Sequence, residues 1–197
     1  QAGIARSREQ SLGPALAHLE EAQAHLSRLG DRPGAARARA WRARTLAALG
    51  DGVHADMELA QALAVPSARL SAAERGEHAF LQAEIAGFRE AWTDAARLYA
   101  EAARVFGAAG LAWRECLARL RTIQAEAQGA EARGAGNLDA PWSLLEALKA
   151  PSEGAGSRWL DLEWHRAHAL LLSATSAGRG SLGSQGLAAW SEVLAAA

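Results

Sequence analysis

The feature that most constrains this chain is a spaced recurrence of small and large residues. Ala15, Ala55 and Ala95 stand forty residues apart, each followed four positions later by a large apolar residue, Leu19, Leu59 or Tyr99, and seven positions later by a further alanine, Ala22, Ala62 or Ala102. Offsets of four and seven place all three side chains on one face of a helix. The alanine lets a neighbouring backbone approach, and the large side chain fills the groove beside it. Forty residues accommodate two helices and their links, so the spacing predicts a series of helix pairs, A and B, each burying its apolar face against the next.

Composition agrees with that expectation. Half of the 197 residues are hydrophobic, and alanine supplies much of that share. Alanine favours helices, while the β-branched residues that favour strands never form an alternating run. The B helices are expected near 14–29, 52–65 and 91–107, and the A helices near 34–49, 71–87, 110–128 and 157–177. Several boundaries carry their own chemistry. Ser71 with Glu74 has the spacing of a capping box. Asp31 before Pro33, and Asp139 before Pro141, place an acceptor ahead of a proline whose missing N–H does no harm in a first turn. Gly30, Gly50 and Gly110 punctuate helix ends.

The register weakens after about residue 128, where a Gly- and Ala-rich stretch leads to a shortened B helix over 141–149 and a second loose segment over 151–156. A last pair resumes with 157–177, a glycine-rich link and a closing helix that carries Ala189 and Val193. The expectation is therefore one all-α domain over 1–197: regular repeats in 11–128, an irregular insertion in 129–156 and a terminal helix pair in 157–197. A chain that begins with Gln and ends in mid-helix reads as a piece of a larger protein.

Two stretches, LSRLGDRPGAARARAWRARTLAALGD at 26–51 and AARLYAEAARVFGAAGLAWRECLARL at 95–120, resemble a helix B, tight turn and following helix A of the tetratricopeptide repeat. The long repeat is similar to that of maltose-regulator-like bacterial transcription regulators. The resemblance implies an α-α superhelix of four to five repeats with an inner wall made mainly by A helices. It further implies a signal-receiving scaffold in a bacterial transcription regulator or signalling ATPase, binding a protein or peptide, or associating with itself. A small-molecule-sensing helical domain that controls an effector stays open as the alternative.

Carrying the repeat phase along the A helices puts Arg37, Ala40, Arg44 and Ala47 on that inner wall, with Glu77, Phe80, Glu84 and Gly87 one repeat later. Arg37 and Glu77, and likewise Arg44 and Glu84, are forty apart, which predicts ion pairs between neighbouring A helices. Phe80, Phe88 and Trp113 would offer apolar contact to a partner or ligand. The run Arg32, Arg37, Arg39, Arg42 and Arg44 is scattered around its helix and lacks an aromatic platform or phosphate loop, which argues against direct nucleic-acid binding. Trp41, Trp92 and Trp113 are expected in packing. His18 and His25, seven apart, could line a seam between helices. His165 and His168, with Asp161 one turn before, are too few for a metal shell, so no metal or other cofactor is expected.

Function classes narrow further. A formal net charge of -1 gives no global attraction to nucleic acid or anionic membranes. The single cysteine, Cys116, excludes an internal disulfide and fits a cytoplasmic setting. No apolar run reaches the length of a membrane span. Serine-hydrolase elbow, phosphate-loop and zinc-protease motifs are absent, so the chain is not expected to be an enzyme.

Overall fold

The computed structural model describes residues 2–66, 69–134, 136–154 and 158–177, with side chains for 12–66, 69–134, 136–149 and 158–175. The expected closing helix and the glycine-rich link before it lie outside the described residues. The described residues form eight helices and no strand: α1 (Ala2–Arg28), α2 (Arg32–Ala48), α3 (Gly52–Leu63), α4 (Ala72–Phe88), α5 (Trp92–Ala108), α6 (Ala112–Arg133), α7 (Asp139–Gly154) and α8 (Arg158–Ala177). The chain divides into two compact units, Gln1–Arg89 and Glu90–Ala197. No helix among the described residues is long and apolar enough to cross a membrane.

Five helices keep a strict beat: α2 through α6 begin at Arg32, Gly52, Ala72, Trp92 and Ala112, twenty residues apart. Three-residue links follow the 17-residue helices α2, α4 and α5, an eight-residue link over 64–71 follows the 12-residue α3, and the hydrogen bonds of the short links show how they close. At the end of α2 the Gly50 N–H donates to the Ala47 carbonyl and the Asp51 N–H to the Leu46 carbonyl, a Schellman closure that needs positive φ at the middle residue. The same pair of bonds closes α1 around Gly30 and α5 around Gly110. In the first two links the residue after the glycine also starts the next helix: Asp31 accepts from the Gly34 N–H at 2.9 Å and Asp51 from the His54 N–H at 3.2 Å. The fourth link, between α4 and α5, places Glu90 at φ 59°, where the other three-residue links have glycine.

Within the first unit α2 packs against α1, α3 and α4. Arg42 reaches Gln23 of α1 and Glu58 of α3. The buried clusters Ala40/Ala62/Leu81 and Ala43/Ala47/Ala55/Ile85 tie α2, α3 and α4 together. Residue numbers rise together along α2 and α4, so these two A helices lie parallel and nearly forty residues out of phase, while α3 runs back between them in sequence. The expected small-residue positions of the second and third copies, Ala55, Ala62, Ala95 and Ala102, are all fully buried. In the first copy Ala15 is half-buried and Ala22 exposed. Ala40 and Ala47, expected on an inner wall, are core residues instead.

In the second unit α6 takes the central place, packed on α5, α7 and α8. Its core includes the fully buried Leu120, Ile123, Leu145, Leu160 and Leu171. Trp164 is buried here, its indole N–H donating to the Leu145 carbonyl at 2.9 Å. Here the expected boundaries need correction. α6 continues to Arg133, where Gly134 at φ 66° ends it, because most of the residues after Gln128 are helix formers and Gly129 is held against Trp92. α7 spans Asp139–Gly154 rather than 141–149, and Asn137, not Asp139, accepts from a backbone N–H there, that of Asp139 at 2.9 Å. α1 likewise starts well before residue 14 and carries Pro14 inside it. The proline removes one donor and crowds the carbonyl one turn earlier, yet the Ala, Arg, Glu and Gln residues before it continue the helix.

Candidate functional site

Of the sequence-derived site residues of the first unit, Arg44, Glu77, Glu84 and Phe88 meet around Trp41 on the α2–α4 face, with Glu77 bonded to the Trp41 indole where an ion pair with Arg37 was expected. Arg44 donates to both carboxylate oxygens of Glu84, through Nε to Oε2 and through Nη2 to Oε1 at 3.5 Å. Equivalent turns of α2 and α4 present these partners, as the forty-residue offset predicts. The guanidinium carbon lies 5.6 Å from the Trp41 ring centroid and 5.9 Å from that of Phe88. Glu84 thus holds a cation between two aromatic rings, an arrangement that adds ring-quadrupole attraction to the ion pair. The Trp41 indole N–H is itself tied to Glu77 Oε1 at 3.1 Å, which fixes the ring. Trp41 is 37% and Phe88 45% exposed, so both rings reach solvent.

Arg37 stands exposed one turn from the start of α2. Its charge acts on Glu74, whose carboxyl is held below the usual range first by the Ser71 backbone and side-chain hydrogen bonds and then by Arg37 and His78. Ser71 and Glu74 form the expected capping box in full, with Ser71 N donating to Glu74 Oε2 at 2.8 Å and Glu74 N to Ser71 Oγ at 3.2 Å. Phe80 is half-buried on α4. Behind this face His78 is buried, and desolvation pushes its pKa down against the pull of Glu77 and Glu74.

Trp113 belongs to the second unit, where it stacks on Trp159 with centroids 5.7 Å apart and planes at 28°. Trp41 and Trp113 are exposed rather than packed in a core. Asp161 and His165 do meet, at 3.7 Å, and His168 stacks on Trp164 with centroids 5.3 Å apart. Among the described residues no group of three or more His, Cys, Asp or Glu could hold a metal ion. His18 and His25 are exposed and line no seam. Cys116 is buried, and burial raises its thiol pKa, which makes it inert rather than nucleophilic.

One cluster escaped the sequence reading. Glu163 of α8, nearly sealed from solvent, accepts from Arg121 Nη2 at 3.0 Å and from Gln124 Nε2 at 2.8 Å, while Arg121 Nη1 donates to Gln124 Oε1 at 3.2 Å. Arg121 and Glu163 are 42 apart and Gln124 and Glu163 39 apart, straddling the register instead of matching it. The ring of three joins α6 to α8.

Comparison with protein-family models, curated proteins and solved structures finds no match for this chain. Function rests on the geometry alone.

Proposed function

We propose that the chain is a protein-docking scaffold of the tetratricopeptide type, the signal-receiving part of a bacterial regulator, and that the α2–α4 face receives the partner. The observation that carries this reading is the Trp41–Arg44–Phe88 stack, clamped from behind by Glu84 and Glu77. Exposed aromatic rings and arginine are the residue types that dominate binding energy at protein interfaces, and their value rises when they are held rigid before the partner arrives. Arg37, exposed at the near end of the same helix, adds a cation at the rim. The matching occupant is a peptide segment with an apolar anchor for the rings and an acidic residue for Arg37, the charge of Arg44 being already paired with Glu84.

A random peptide library displayed on phage and selected on the immobilised chain tests this. The expected outcome is enrichment of peptides pairing an aromatic or large aliphatic residue with Asp or Glu, bound at least about tenfold more weakly by Trp41→Ala and by Phe88→Ala. Arg37→Glu, which breaks no core contact, should weaken the same peptides and steepen the loss at low salt. Selection of peptides that bind all three variants as tightly as the parent would refute the assignment.

A further inference from the structure

The beat of the helices fails at one place. After α6 begins at Ala112 the next helix is due near residue 132, yet α6 runs on to Arg133 and α7 starts only at Asp139. The chain between turns back on itself: Gly136 packs so closely on Ala130 that a Cβ there would sit 2.8 Å from the alanine methyl. With α7 displaced, part of the small-residue face shared by α5 and α6 is left uncovered. A cavity of about 470 Å³ opens there within the second unit, walled by the first turns of α5, the last turns of α6 and residues 136–141.

Its lining divides into two parts. Trp92, Ala96, Ala100, Ala125, Leu138 and Pro141 make an apolar wall, and Arg97, Glu126 and Arg133 bring charge to it. Gly129 forms the floor: a Cβ there would meet Trp92 Cβ at 3.0 Å and the Arg133 guanidinium at 3.2 Å, so the missing side chain is what lets Arg133 lie across α6. Arg97 is held only loosely, 3.7 Å from Asp94, and both side chains are about two-thirds exposed. Among the described residues no carboxylate forms an ion pair with Arg133. Glu126 also lines the space, on the α6 wall, and burial raises the pKa of its carboxyl. The first residues of α5 and α7 also border the space, where Asp94 and Asp139 offset the positive ends of the two helix dipoles.

We propose that this cavity binds a small organic carboxylate, its apolar body against the Trp92, Ala100 and Leu138 wall and its carboxylate between Arg97 and Arg133. The volume suits a small molecule rather than a polypeptide. An inorganic anion would satisfy the arginines but leave the apolar wall uncovered, and a cation would meet two guanidinium groups. A planar guanidinium matches a carboxylate through paired N–H donors.

The test uses the full chain, labelled with ¹⁵N, and follows the indole N–H resonance of Trp92, assigned by its loss in Trp92→Phe. Octanoate, benzoate and indole-3-acetate are titrated beside their amides and beside inorganic phosphate. Saturable shifts of the Trp92 signal by at least one carboxylate, with its amide bound about tenfold more weakly, are expected. Arg133→Gln should weaken that carboxylate about tenfold and leave the amide unchanged, and Arg97→Gln should do the same. Both residues are solvent-accessible, and thermal unfolding of the variants at the parental temperature shows that the fold is retained. No shift of Trp92 by any carboxylate at about 10 mM, the weak end of specific binding, would overturn the proposal. So would an amide that binds as well as its acid, or phosphate that matches every carboxylate. These outcomes are independent of the α2–α4 face, which the Trp92 signal does not report.

Discussion

Replacing Glu163 by glutamine changes one atom and removes one charge, yet it should destabilise the second unit by about 2–3 kcal/mol. The reason is the direction of the hydrogen bonds around the ring. Arg121 donates twice, Gln124 accepts through its oxygen and donates through its nitrogen, and Glu163 only accepts. A glutamine at 163 brings one acceptor and one donor to two incoming donors. If its oxygen faces Arg121, its NH₂ meets the Gln124 NH₂. Turning either amide moves the donor–donor contact to another edge of the ring without removing it, and turning Gln124 also breaks its 3.2 Å bond to the Glu163 carbonyl. One buried donor is therefore always orphaned, at about 1–3 kcal/mol, and Arg121, whose Nε is already without a partner, loses its counter-charge. Relief of the Glu163 desolvation offsets part of this, which keeps the net effect below the 3–5 kcal/mol typical of a bare broken pair.

The compensating change discriminates this account from a generic loss of charge. In Gln124→Glu/Glu163→Gln the acceptor-only group moves to α6, takes one bond from Arg121 and one from the new glutamine, and leaves the glutamine oxygen for the other Arg121 nitrogen. Every edge of the ring is satisfied again, at the expense of the bond to the residue 163 carbonyl, which then faces a carboxylate oxygen and keeps the recovery incomplete. Urea unfolding followed by tryptophan fluorescence and by circular dichroism should show Glu163→Gln losing about 2–3 kcal/mol and the double variant recovering at least about half of it. A single variant within about 0.5 kcal/mol of the parent, or a double variant no better than the single, would refute the ring argument.

Other expectations follow from single residues. Glu90→Gly should raise stability by about 0.5–1 kcal/mol in thermal unfolding, since Glu90 occupies the left-handed region that glycine fills in the three sister links. Burial depresses the pKa of His78, so its unfolded form binds protons first; its contribution is complete above about pH 6.5 and declines as pH falls through the lowered folded value. Unfolding midpoints measured from pH 7.5 to 5 should therefore drop in the parent and stay flatter in His78→Leu. Glu126 has the opposite sign, with a raised pKa whose stabilising contribution is lost as pH rises past the ordinary carboxyl range, so Glu126→Gln should stabilise the chain at pH 7 but not at pH 4. Ala95→Leu, at a fully buried contact, should cost about 1–3 kcal/mol, whereas Ala96→Leu, which points into the open cavity, should cost little in the same urea titration.

What could be read in the sequence was what local chemistry or the register states twice. Gly30, Gly50 and Gly110 mark their links because only that conformation closes a Schellman end, and Ser71 with Glu74 caps α4 through side chains three residues apart. Arg44 and Glu84 could be paired because equal offsets along parallel helices bring equal turns together. The fourth link was legible between helices expected at 71–87 and 91–107, but its left-handed residue was not, since Glu90 has a side chain that gives no signal of positive φ. The overrun of α6 hid too: Gly129 reads as a breaker unless one knows that Trp92 and Arg133 press on it. Trp113 was placed with Phe80 and Phe88 by residue type alone, but its neighbour is Trp159, on a helix whose phase the irregular segment had already shifted.

That shift accounts for the cavity, and the regular register before it for the α2–α4 face. A regular series of helix pairs has every alanine contact filled by the next backbone, and such a series leaves few interior spaces, only faces. The α2–α4 face is of that kind: its chemistry is carried by the large residues that small ones cannot bury, Trp41 and Phe88 around Arg44. A cavity requires the series to slip. The seven-residue delay before α7 supplies the slip, and the small residues selected for close packing, Ala96, Ala100, Ala125 and Gly129, then become the walls of a space instead of a contact. The irregular segment is thus the part of the chain where a helix-pair scaffold gains an interior site, and removing the delay by deleting residues would close the cavity by restoring the packing it interrupts.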